Sequence, residues 1–127
     1  MLDISLLLQE AEGARQRAYA PYSGFQVGAA LLTKGNQIFT GCNIENASFG
    51  LTECAERVAL FKAVSSGATE FVALAVISDG EGFCRPCGAC RQVIREFGAD
   101  ILVIMATRAM EYEVKTISEL LPAGFEL

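Results

Sequence analysis

Three thiols and a carboxylate are the residues most able to do chemistry: Cys54-Ala55-Glu56, then Pro86-Cys87-Gly88-Ala89-Cys90 about thirty residues later. Thiolates at this spacing suit a metal ion. Sulfur donors favour zinc over magnesium, calcium or manganese. A structural zinc site takes four protein ligands, whereas a catalytic one takes three and leaves the fourth position to water. The chain contains no histidine, so the commonest alternative ligand is missing. Three cysteines with an acid beside the first therefore point to an open, catalytic centre.

These residues need elements that bring them together. Cys54–Ser66 has helical spacing of Ala55, Val58, Ala59 and Phe61, with Gly67 closing it. Cys87–Phe97 reads as a second helix, with Pro86 before it and Gly98 after it. The cysteines thus lie at two helix starts, where unpaired N–H groups and the helix dipole favour thiolate over thiol. Glu56, two residues after Cys54, turns to another side and can reach a water at the open position. Zinc with three thiolates carries net charge -1, which opposes loss of a proton from that water. Arg57 is the expected counter-charge, while Arg91 reads as solvated. Cys42 is expected to be buried and Cys84 to be unliganded, although Cys84 could close the site as a fourth ligand in a zinc-stabilised binding module.

Around this centre, Leu6–Tyr19 reads as an amphipathic helix ending before Pro21. Phe25–Thr33 and Gln37–Asn43 read as a hairpin turning at Lys34-Gly35-Asn36. Phe71–Ser78 and Ile101–Ala106 are continuous apolar runs, as in strands buried on both faces. With the helix between them they form a βαβ-like unit. Tyr112–Thr116 is a candidate edge strand and Ile117–Leu121 a last helical turn. The expected architecture is α/β, one domain over residues 1–127, with a mixed sheet covered by helices.

The net charge of -5 and the scattered Lys and Arg argue against a nucleic-acid surface. No apolar run approaches bilayer length, and the start lacks the pattern of a secretory signal, so a cytoplasmic location and no membrane partner are expected. Five cysteines is an odd number, which fits reduced, metal-bound thiols better than a disulfide framework.

The Cys-x-Glu and Pro-Cys-x-x-Cys pair matches the zinc-deaminase signature, a general pattern stated for that enzyme class. Tyr19-Ala20-Pro21-Tyr22-Ser23, Phe25–Leu31, Gly41–Asn46, Cys54–Arg57 and Glu119–Pro122 with Phe125 extend the match along nearly the whole chain. The sequence resembles the small cytidine deaminases with three cysteine ligands. That resemblance implies a three-layer α/β/α fold, a homotetramer, and deamination of cytidine and 2′-deoxycytidine in pyrimidine salvage. It implies Cys54, Cys87 and Cys90 as ligands of Zn2+, Glu56 as proton shuttle and Arg57 as charge compensator. It further implies Phe25, Asn43, Glu45 and Ala55 at the nucleoside, with Phe49 and Phe125 completing a neighbouring subunit's pocket. If Asn43 and Glu45 lie on one strand, alternation puts both on one face, able to hold a sugar. An acid there repels phosphate, favouring a nucleoside over a nucleotide. A deaminase for another aminopyrimidine stays open on these residues.

Overall fold

The computed structural model describes residues 2–127. Five strands form one sheet in the order β2-β1-β3-β4-β5. They are β1 (Val27–Thr33), β2 (Ile38–Cys42), β3 (Phe71–Ser78), β4 (Leu102–Ala106) and β5 (Tyr112–Thr116). The helices are α1 (Ile4–Arg15), α2 (Ala55–Ser65), α3 (Gly88–Arg95) and α4 (Ile117–Leu120), with a 3-10 turn at Phe49–Leu51.

The sheet is mixed. β1 is antiparallel to both β2 and β3, and β3 and β4 run parallel on either side of α3. β5 closes the far edge antiparallel to β4. Since β2 and β3 are both antiparallel to β1, they run the same way, and the chain leaves both at the same end of the sheet. The helices that follow each therefore start on that end.

Alternation along the strands divides the core into two apolar layers. Ala29, Leu31, Leu74, Val76, Val103 and Met105 pack with Ala59, Leu60 and Ala63 of α2 and Ile94 of α3. Ala30, Ala73, Ala75, Ile77 and Ile104 face the opposite way, against Leu7, Leu8 and Ala11 of α1. The result is the expected three-layer α/β/α arrangement.

Two glycines set how closely helices approach the sheet. A Cβ on Gly28 would lie 2.0 Å from the Ala11 carbonyl oxygen and 2.4 Å from the Arg15 nitrogen, so α1 rests directly on β1. A Cβ on Gly41 would lie 2.5 Å from the Ala59 nitrogen and 2.6 Å from the Ala55 carbonyl oxygen, so α2 rests directly on β2.

Local boundaries differ from expectation where side chains compete for the backbone. The Asp3 carboxylate accepts from the Leu6 N–H at 3.0 Å and starts α1 earlier than Leu6. The helix ends at Arg15 because Tyr19 is drawn into an extended pairing, its N–H donating to the Asn43 carbonyl at 3.0 Å. β2 ends at Cys42, so Asn43 and Glu45 do not belong to one continuous strand. The turn at Lys34-Gly35-Asn36 forms as expected, with Asn36 at φ 66°.

Candidate active site

Cys54 is the N-cap residue of α2, and Cys87 is the N-cap residue of α3. The Cys87 sulfur accepts from the Cys90 N–H at 3.4 Å, so both thiols of that pair sit over the first turn of α3. The Sγ atoms of Cys54, Cys87 and Cys90 all lie within 4.8 Å of one another. Those of Cys54 and Cys87 are 3.9 Å apart. Two sulfurs bound to a tetrahedral zinc at about 2.3 Å each would be about 3.8 Å apart, so the trio fits that ion. Cys84 is not among the gathered sulfurs.

Charge around the sulfurs favours a thiolate. Arg57 Nη2 donates to Cys54 Sγ at 3.2 Å. Hydrogen bonding from Cys90, supported by Arg57, holds the Cys54 thiol down at about 5, against the opposing effect of burial. Cys90 is pushed upward, first by sharing that bond as its donor and then by burial. Arg57 Nη1 also lies 3.7 Å from Glu53 Oε1, so the guanidinium bridges a thiolate and a carboxylate. Nothing in the sequence marked Glu53, although its i,i+4 spacing to Arg57 is a usable signal. Arg91 is not solvated: its Nε donates to the Pro86 carbonyl at 2.8 Å and its Nη1 to the Leu120 carbonyl at 2.9 Å. It fastens the approach to α3, and Arg57 is the guanidinium in contact with the Cys54 sulfur.

Glu56 stands in the first turn of α2, only 5 % exposed. Burial raises its carboxyl to about 7, and the Cys54 thiolate adds to the rise, while its own backbone N–H and Arg57 oppose it. A group so placed gains and loses a proton near neutral pH. Cys84, beneath the same pocket, is pushed up to about 12, chiefly by burial and then by Glu56. It remains a thiol.

A cavity of about 290 Å³ brings Glu56 together with Cys54, Cys87, Phe25, Asn43, Glu45 and Ala55. Val27, Ser23, Thr52 and Glu53 complete much of its wall. Asn43 is buried, its Oδ1 accepting from the Val27 N–H at 2.9 Å and its Nδ2 donating to the Phe25 carbonyl at 2.8 Å. One amide hydrogen and one lone pair are left over for a ligand. Glu45 accepts from the N–H groups of Tyr22 at 2.9 Å and Ser23 at 3.1 Å, and from the Ser23 hydroxyl. The Ser23 hydroxyl first, then those two N–H groups, hold its carboxyl below the usual range, so it stays charged. The two residues therefore share a cavity through loop bonding and not through strand alternation.

Phe49 and Phe125 lie outside this cavity. Phe49 lines an adjoining hollow with Tyr22, against which it packs edge-on at 5.9 Å. Phe125 is held by its backbone, its N–H donating to Gln92 Oε1 and its carbonyl accepting from Gln92 Nε2, each at 3.1 Å. The two rings are 74 % and 70 % exposed, which leaves both free to meet another molecule.

Residues 1–106 match the family model described as the cytidine and deoxycytidylate deaminase zinc-binding region. The chain belongs to that family. Over 125 residues it is 50 % identical to the cytidine deaminase of Sporosarcina psychrophila, covering 98 % of this chain and 92 % of that protein. It is 52 % identical over 125 residues to the cytidine deaminase of Halalkalibacterium halodurans, covering 98 % of this chain and 95 % of its relative. The crystal structure of cytidine deaminase from Burkholderia pseudomallei superposes with a TM-score of 0.94 at 46 % identity, covering 98 % of this chain and 100 % of that one. The chain is a zinc-site enzyme of the deaminase type, and the trio Cys54, Cys87 and Cys90 is the group able to hold the metal. No helix among the described residues is long and apolar enough to cross a membrane.

Proposed function

We propose that this chain hydrolyses cytidine and 2′-deoxycytidine to uridine and 2′-deoxyuridine, releasing ammonia. The observation that carries the reading is Glu56, a buried carboxylate raised to about 7, in one cavity with two of the three gathered cysteines. Cys54, Cys87 and Cys90 would hold zinc, which would supply the Lewis acidity that lowers the pKa of a water beside Glu56.

The rest of the chemistry falls to the chain's own groups. Glu56 takes a proton from the water and delivers it to N3 of the pyrimidine as oxygen bonds to C4. It then carries the proton of the new C4 hydroxyl to the amine, the C4–N bond breaks, and ammonia leaves as the keto product forms. Arg57, bonded to Cys54, offsets the charge of the thiolates. Asn43 and Glu45 hold the ribose hydroxyls, while Phe25 and Ala55 flank the base. A charged Glu45 at the sugar disfavours a 5′-phosphate.

The exposed rings of Phe49 and Phe125 support a homotetramer in which each pocket is completed by a neighbouring copy. This substrate choice supports a role in pyrimidine salvage, and the odd cysteine count supports a cytoplasmic location. The test is an absorbance assay of the zinc-loaded protein with cytidine, 2′-deoxycytidine and their monophosphates. Loss of the cytidine band with ammonia release from both nucleosides, and none from the monophosphates, is expected. No reaction on either nucleoside refutes the proposal. Sedimentation at assay concentration tests the tetramer.

A further inference from the structure

The segment Phe25–Val27, one wall of the pocket, is gripped from two sides. Asn43 holds the Phe25 carbonyl and the Val27 N–H at 2.8 and 2.9 Å. On the other side stands Asp79, the first residue beyond β3. Its Oδ2 accepts from the Gln26 N–H at 2.9 Å, and its own N–H donates to the Gln26 carbonyl at 3.1 Å. The next residue, Gly80, leaves space beside the ring, since a Cβ there would lie 3.6 Å from Phe25 Cε1.

Asp79 is in turn anchored from α1. Its other carboxylate oxygen accepts from Arg15 Nη1. The Arg15 side chain is only 15 % exposed and is fixed by Glu12, with Nε to Oε1 and Nη2 to Oε2 both at 2.7 Å. A chain of ionic hydrogen bonds thus runs from the last turn of α1 through the end of β3 to the pocket wall. Neither Arg15 nor Asp79 lines the cavity.

We propose that Asp79 and Arg15 are positioning residues for the nucleoside, acting through Gln26 to set the Phe25–Asn43 wall. The inference rests on the reading of this cavity as a nucleoside pocket. Apart from the Tyr19 bridge to Ile44, the residues from Gln16 to Gln26 form no helix or strand, so the Asp79 and Asn43 side chains add to only a few backbone bonds in placing Phe25. Glu56 and the cysteines ride on α2 and α3, which take no hydrogen bond from Asp79. Loss of the anchor therefore acts on binding and spares the chemical step.

The experiment compares Asp79→Ala, Asp79→Asn and Arg15→Gln with the unaltered zinc-loaded protein. It measures kcat and KM for cytidine, uridine affinity by calorimetry, zinc content and melting temperature. Asp79→Ala raises KM and weakens uridine binding by about tenfold, with kcat changed by less than about twofold and zinc retained. Asp79→Asn keeps an oxygen for the Gln26 N–H and shows a smaller effect, matched by Arg15→Gln. An ion pair that only stabilises the fold would lower the melting temperature and leave KM and uridine affinity untouched; that result overturns the proposal, as does a fall in kcat at constant KM. Should Asp79→Ala not fold, the other two variants decide by the same criteria. Failure of the unaltered protein to deaminate cytidine or bind uridine refutes the functional reading instead.

Discussion

Replacing Gly41 by alanine probes whether α2 must lie this close to β2 for the metal centre to form. The added Cβ would stand 2.5 and 2.6 Å from backbone atoms of α2, where ordinary contact begins at 3.4 Å. Neither atom belongs to a flexible side chain, so the helix itself must retreat, by about 0.8–0.9 Å if it moves as a body. Overpacking of this kind costs about 1–3 kcal/mol. With unfolding entropy of about 2.1 cal/mol/K per residue, 1 kcal/mol corresponds to about 4 °C for a chain of this size, so the melting temperature should fall by about 4–11 °C.

Instability alone does not distinguish the site from the rest of the fold, and Gly28→Ala supplies the comparison. Its Cβ meets α1 even more closely, at 2.0 and 2.4 Å, yet α1 carries no cysteine. Both variants lose stability, but only Gly41→Ala shifts Cys54 away from Cys87, whose sulfurs now stand 3.9 Å apart. Zinc affinity, measured by competition with a chelator, should drop by at least about tenfold in Gly41→Ala, as when a support of the ligands is disturbed. It should stay near normal in Gly28→Ala, where KM rises because the end of α1 holds Arg15. Equal zinc affinity in the two variants refutes the reasoning, whatever their melting temperatures.

Glu56→Gln should fold, bind zinc and lose turnover by about 10²–10⁴-fold, judged by the same absorbance assay. Near-normal turnover removes Glu56 as the proton carrier. Cys87→Ala should lose stoichiometric zinc by elemental analysis, while Cys84→Ser should keep it; the reverse result would make Cys84 a ligand. In metal-free protein, Cys54 should be alkylated by iodoacetamide as a thiolate. Its folded value of about 5 lies below the ordinary 9.0, so the rate stays level from neutral pH down to about 5 and falls below that. Cys84, pushed up to about 12, should remain unmodified at neutral pH, and peptide mapping checks both.

The metal trio and its acid were legible because their signal is local. Two short motifs at helix starts specify residue type, spacing and N-cap geometry together, and the structure gathers the three sulfurs accordingly. The strands and helices were legible from apolar runs and glycine punctuation, except at ends such as those of α1 and β2, where local hydrogen bonds decide. Asn43 and Glu45 reached the same pocket for a different reason than alternation. Each is tied by side-chain hydrogen bonds to the loop before β1, Asn43 at Phe25 and Glu45 at Tyr22, to which strand periodicity is blind. Arg91 differs from its expected solvated state because sequence gives no sign of its partners, the carbonyls of Pro86 and Leu120. The Arg15–Asp79 pair spans 64 positions and belongs to no motif. Contacts of that range appear only once the sheet order is known.

That sheet order also explains why residues so far apart in sequence meet. β2 and β3 run the same way, so the segments after them emerge at one end, and α2 and α3 begin there. β1, running the opposite way, begins at that same end and delivers Phe25 and Val27 to it. Two helix N-termini thus face each other across the entry of a central strand. Their partial positive charge helps bear the thiolates before Arg57 adds a full one. A closed set of four cysteines would carry net charge -2, would need more of this help, and would leave no open position on the metal for water. On the proposed reading the fold supports the electrostatics of an incomplete ligand set, and that incompleteness is what would allow chemistry at the site.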